Sequence, residues 1–255
     1  MKNNKILGID IGGSGIKGAI VNTKTGEMLT SRFRIVTPSP ATPTSVTQVI
    51  HEIVKHFDWK GPLGAGYPGV VQKGIVRTAS NVDSAWINTN IDELITRVTG
   101  CPSTVVNDAD AAGLAEMKFG SGMGNKGVVL LLTIGTGIGT VMFSGGKLVP
   151  NLELGHIILK GMDAEKYSSD AARQRDHLSW VDWAKRFNEY LARMEELLWP
   201  DLIIIGGGAS KKEELILDLL HTKAKLVTAR LHNNAGIVGA ALAANKKMKQ
   251  LEAEV

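Results

Sequence analysis

With 255 residues, 44% of them hydrophobic and 21% charged, the chain has the make-up of a globular protein of one large or two small domains. Its single cysteine, Cys101, excludes an internal disulfide framework and a cysteine-built zinc cluster and fits a reducing compartment. The net charge of +4 comes without a block of five basic residues and with only 5% aromatics, which argues against nucleic acid as a partner.

Residues 1–5 are polar and 6–11 are short and glycine-interrupted, so no secretory leader is expected. No run approaches the ~20 apolar residues of a membrane span. A cytoplasmic protein is the expectation. In chain order, 6–11 reads as a buried strand and 16–21 as a second, with a turn at 23–26 and a third strand over 28–36 carrying Arg32 and Arg34. Pro38, Pro40 and Pro43 predict a stiff loop. The stripe Val46, Val49, Ile50, Ile53, Val54, Phe57 predicts a helix over 44–57. A strand over 63–71 is broken by Pro68-Gly69, and a helix over 91–99 stops at Gly100. A strand at 104–106 leads to a helix at 109–118. Strands follow at 128–134 and 140–143.

Ser179 opens a long helix with Asp182 as its capping partner, and Pro200 closes it. Its apolar stripe is Trp183, Phe187, Tyr190, Leu191, Met194 and Leu198. A buried strand at 202–205, a turn at 206–208, a helix at 213–220 and a closing helix at 237–247 complete the chain. The meander-then-alternation pattern partly recurs from 128. It predicts two α/β halves around a central cleft: a small one, 1–108 with helix 236–255 packing back on it, and a large one, 109–235.

Two glycine turns carry the chemistry. The first is Asp10-Ile11-Gly12-Gly13-Ser14-Gly15-Ile16-Lys17, and the second is Thr133-Ile134-Gly135-Thr136-Gly137-Ile138-Gly139-Thr140. Glycine lets backbone amides approach phosphate oxygens closely. Gly13, Gly15 and Gly18 satisfy the dinucleotide pattern, but β-branched residues follow where a helix is needed, and no Walker loop is present. A plain hairpin turn is the bland alternative for the first turn alone. Asp10 is placed to hold Mg²⁺ through water, its alternative being a turn cap. The third cluster, Gly206-Gly207-Gly208, offers amides to an anion or is a simple strand–helix turn.

Between the two turns, Asn107-Asp108 stands at a strand end, where ligands bind in open α/β sheets. Asp108 is read as a base for a sugar hydroxyl or as a helix cap, and Asn107 as a polyol ligand or a cap. Glu153-Leu154-Gly155-His156 reads as a hydroxyl-binding loop. Asn81, with Trp86 behind it, offers an amide and an apolar face, though a tryptophan is more often core. Lys17, Arg77, Lys118, Lys126, Arg173, Arg175 and Lys211 are candidates for a basic path along a long anion.

These segments, with Val105-Val106-Asn107-Asp108-Ala109-Asp110 and Leu198-Trp199-Pro200-Asp201 through Gly208, resemble the ROK-type sugar kinases of the actin-like ATPase (ribonuclease H-like) fold. Within that family the chain looks like the members that use polyphosphate. The resemblance implies phosphorylation of glucose at its 6-hydroxyl from inorganic polyphosphate, with ATP as an alternative donor, Mg²⁺ as cofactor and a homodimer. It implies Asp108 as base. Asn81, Asn107, Asp108, Glu153, His156 and Glu165 would hold glucose. Asp10, Gly12, Gly13, Ser14, Lys17, Thr136, Gly137 and Gly207 would hold the donor. Many family members carry clustered zinc-binding cysteines after the Glu-x-Gly-His motif; residues 161–176 have none, so no zinc is expected at His156. The family's repressors add a DNA-binding domain before the first strand; with only five residues there, this sequence is not expected to act as one. The rival readings are an ATP-dependent hexose kinase and a non-enzymatic sugar sensor or assembly protein.

Overall fold

The computed structural model describes residues 4–80 and 82–253. One compact unit runs to Ala115 and resumes at Asn234; the other is Glu116–Asn233. In the first, β1 (Lys5–Gly12) and β2 (Gly15–Asn22) form an antiparallel hairpin whose register ends at Gly12 opposite Gly15, leaving Gly13-Ser14 as the loop. β3 (Phe33–Ile35) pairs with β2. The strand expected over 28–36 is much shorter because the Ile20 N–H goes to the Thr30 hydroxyl instead of a ladder carbonyl. Next comes α1 (Pro43–His56), where Thr42 and Ser45 form a capping box and Pro43 is the first helical residue, not part of a loop.

Then follow β4 (Leu63–Tyr67), the small hairpin of β5 (Val71–Gln72) and β6 (Ile75–Val76), α2 (Ile91–Thr99), β7 (Ser103–Asn107) and α3 (Asp108–Phe119). The last turn of α3 belongs to the second unit. The sheet order is β3-β2-β1-β4-β7, with β1, β4 and β7 parallel. The run from Ile6 to Ile9 is buried throughout, as a strand covered on both faces must be. Val46, Ile50, Ile53 and Val54 of α1 join the core of Leu7, Ile9, Ile16 and Trp86.

The second unit repeats the plan. Its strands are β8 (Val129–Ile134), β9 (Ile138–Ser144), β10 (Lys147–Val149) and the ribbon of β11 (Ile158–Leu159) with β12 (Met162–Asp163). The short helices α4 (Ala164–Ser168) and α5 (Asp170–Arg175) precede α6 (Trp180–Leu198), β13 (Leu202–Gly207), α7 (Glu213–Ile216) and β14 (Lys225–Thr228). The main sheet is β10-β9-β8-β13-β14, with β8, β13 and β14 parallel. Ser179 caps α6 by accepting from the Asp182 N–H, and Trp199 ends it in the left-handed region. Trp183, Phe187, Tyr190, Leu191 and Met194 pack on Leu130, Leu132, Ile203 and Ile205.

The helix expected over 213–220 is cut short. Asn188 of α6 donates to the Leu219 carbonyl and accepts from the His221 N–H, so tertiary bonds take the backbone groups a longer helix would use. The closing helix, α8 (Ala235–Ala253), packs on β1, β4 and β7. Its contact face is built of small residues. A methyl group at Gly8 would overlap the Ile237 carbonyl, one at Gly64 the Ala240 carbonyl, and one at Gly239 the Ala111 carbonyl of α3. Among the described residues no helix is long and apolar enough to cross a membrane.

Candidate active site

In the first unit, the parallel strands β1, β4 and β7 end together, and their carboxyl ends collect the acidic candidates. Asp10 lies opposite Gly66, and Gly66 opposite Val106, so Asp10 and the Asn107-Asp108 pair are two strands apart, about 10 Å. Asn107 is the helix cap: its Oδ1 accepts from the Asp110 N–H at 3.0 Å, and its Nδ2 donates to the Gly69 carbonyl at 3.1 Å. Asp108 is the first residue of α3, and its Oδ1 accepts from the Ala109 N–H at 2.8 Å. Gly66 admits it, since a methyl there would sit 3.3 Å from the Asp108 Cα.

Lys17, directly across the hairpin from Asp10, brings its Nζ to 3.3 Å from Asp10 Oδ2. The guanidinium of Arg34 donates to the Ser14 carbonyl and covers Gly15. The turn of Gly12, Gly13 and Ser14 therefore carries two cations. The sequence marks Arg34 only as a basic residue of the third strand; its signal is that strand's pairing with the hairpin.

For Mg²⁺ the residues present fit. Gly236 stands where a methyl would lie 3.3 Å from Asp10 Oδ1, so that oxygen is kept clear. Among the described residues, no three His, Cys, Asp or Glu side chains are arranged to hold a metal ion. One carboxylate completed by water and donor phosphates is the usual way Mg²⁺ is held beside a phosphate chain.

In the second unit, the turn between β8 and β9 spans Gly135, Thr136 and Gly137; the Gly135 N–H donates to the Gly137 carbonyl, and the Ala171 N–H to the Gly135 carbonyl, both at about 3 Å. Thr136 is exposed. Gly207 ends β13 opposite Ile134 with φ +72°, and a methyl there would overlap the Ile134 backbone. Thr140 accepts from the Leu154 N–H and donates to the Leu152 carbonyl, which fixes the loop bearing Glu153 and His156 against β9.

His156 gathers three carboxylates: Glu153 at 3.6 Å from Nε2, and Asp163 and Glu165 at 3.6 and 3.8 Å from Nδ1. Glu165 also accepts from the Ile138 N–H at 3.3 Å, joining this cluster to the glycine turn. Burial pushes the Glu153 carboxyl up, His156 pulls it down, and Glu165 pushes it up further. Asp163 was missed: it sits in a two-residue strand with no motif around it.

Of the remaining candidates, Asn81 lies outside the described residues. Trp86 is fully buried, stacks obliquely on Tyr67 and donates to the Ala41 carbonyl, so it has no face to offer a sugar. Arg173 and Arg175 are held by Asp170 and Asp176 and do not extend a free basic path.

Two lobes with this shared strand order and glycine hairpins, the first with acids at its strand ends, are the actin-like ATPase fold. The chain belongs to the ROK family, whose defining pattern matches residues 6–169. It is 48% identical over 238 residues to the polyphosphate glucokinase of Mycobacterium tuberculosis, covering 93% of this chain and 90% of that protein. The crystal structure of the inorganic polyphosphate/ATP-glucomannokinase from Arthrobacter sp. strain KM is similar with a TM-score of 0.93 at 47% identity, covering 96% of this chain and 100% of that one. A ROK family glucokinase from Streptomyces griseus, crystallised with glucose and AMPPNP, is similar at 26% identity with a TM-score of 0.81, covering 95% and 99%.

Proposed function

We propose that this protein is a polyphosphate glucokinase, transferring the terminal phosphoryl group of inorganic polyphosphate to the 6-hydroxyl of glucose, with ATP as a second donor. The observation that carries this is 48% identity, across nearly the whole chain, to a polyphosphate glucokinase. The polar groups described above support it.

In the proposed mechanism, Asp108 accepts the proton of the 6-hydroxyl as the oxygen attacks. Asn81, Asn107, Glu153, His156 and Glu165 hold the sugar hydroxyls. The amides around Gly12, Gly13, Ser14, Thr136, Gly137 and Gly207, with the Lys17 ammonium, take the phosphate oxygens. Asp10 would hold Mg²⁺, which when bound offsets charge on the transferred phosphoryl group. We take the working lobes to be 1–108 with 236–255, and 109–235, and the protein to act in the cytoplasm as a homodimer.

The test fixes glucose and compares donors, measuring glucose 6-phosphate formed from polyphosphate and from ATP. Product from polyphosphate supports the proposal; product from ATP alone replaces it with an ATP-dependent glucokinase, and product from neither removes the kinase reading. Light scattering in solution checks the dimer.

A further inference from the structure

The chain passes between its two units twice, after Ala115 within α3 and again before Asn234. One buried carboxylate holds both crossings. Glu116 has no exposed surface, yet its two oxygens are aimed at backbone amides: Oε1 accepts from the Leu231 N–H at 2.7 Å and Oε2 from the Ser121 N–H at 2.9 Å. Beside it, the Ser121 hydroxyl donates to the Thr228 carbonyl at 2.6 Å, a second tie between the same two segments. Gly120 leaves room for this, since a methyl there would overlap Glu116 Oε2.

A buried carboxylate is expensive to desolvate, and one that only ended a helix could be replaced by backbone or water. Here it links residues 115 positions apart, at the two places where the chain changes unit. Each crossing leads to a group given a role above. Glu116 lies eight residues along α3 from Asp108, about 12 Å of rigid helix. Leu231 precedes α8, whose Gly236 lies against the Asp10 carboxylate. Within the first unit the same two helices touch again, backbone to backbone, where Gly239 meets Ala111.

We infer that Glu116 is a positioning residue for phosphoryl transfer: it pins the end of α3 to the 228–231 segment that leads into α8, so that Asp108 at the start of α3 and the Asp10 carboxylate beside α8 keep their register with each other during turnover. The inference rests on the kinase reading above for its catalytic part. Its structural part stands apart from that reading.

Glu116→Gln tests it, because the glutamine keeps the shape but meets one of the two N–H groups with an NH₂. The expected result is loss of hydrogen-exchange protection at the Ser121 and Leu231 amides. The kcat of the folded enzyme should fall about 10- to 100-fold. The glucose Kd measured without donor should stay within about threefold, since the cluster around His156 keeps its own bonds. A folded E116Q protein with wild-type kcat overturns the inference, even if its melting temperature drops. So does unchanged protection at both amides. If E116Q does not fold, Ser121→Ala removes the neighbouring tie alone; a smaller fall in kcat with the same preserved glucose Kd supports the joint, and no fall overturns it. Should the wild type phosphorylate glucose from neither donor, the kinase reading fails, while amide protection still decides whether Glu116 pins the two segments.

Discussion

Asp108 is the first residue of α3, directly after the residue that caps the helix. Asn107 accepts from the Asp110 N–H of the first turn, and the Asp108 carboxylate accepts from the Ala109 N–H beside it. With Asp108 as the proposed base, Asp108→Asn should lower kcat about 100-fold or more while leaving the fold intact, measured by steady-state kinetics and circular dichroism. The His156 cluster gives a second expectation. Asp163 holds one ring nitrogen from a half-exposed position, so Asp163→Asn should raise the glucose KM only about two- to fivefold. Glu153 gives a third. Its carboxyl sits above the ordinary range, chiefly through burial. As pH falls, Glu153 protonates earlier than an ordinary glutamate and loses acceptor strength toward sugar hydroxyls. The glucose KM should rise on acidification, starting above the usual carboxylate range, and Glu153→Gln should flatten that rise.

α8 illustrates how an element is fixed by what it lacks. It reaches the sheet of the first unit through Gly8 and Gly64, and α3 through Gly239. Gly239→Ala should destabilise the protein by about 1–3 kcal/mol or more, since the Ala111 carbonyl it meets is rigid backbone, and urea unfolding would report it. Elements with strong periodicity and clear caps were legible from sequence: α1 and α6 follow their apolar stripes, α2 stops at Gly100, and β1 and β13 follow their apolar runs. What escaped was decided by distant partners. Thr30 shortened the third strand, Asn188 broke the helix after β13, and α4, α5, β10 and β14 are too short to show a period. The site divides the same way. Its glycine turns and the Asn107-Asp108 pair announce themselves through spacing. Arg34, Asp163 and Glu116 acquire meaning only from the side chains and amides that folding brings to them.

The whole chain carries a net charge of +4, and Lys17 and Arg34 concentrate two of its cations at the first glycine turn. A polymeric anion feels such charge through a screened field. The KM for long polyphosphate should climb with added salt, whereas the KM for glucose, a neutral molecule, should hardly move; equal behaviour of the two would count against cationic capture of the donor. The two sheets, finally, have the same strand order, yet their fittings differ. Asp10 and Asp108 stand at strand ends in one, and the matching places in the other are taken by Thr133 and Ala229. A single blueprint was drawn twice and furnished unequally. The twins are no longer interchangeable, and a chimaera in which either hairpin is copied over the other should keep its architecture and lose its trade.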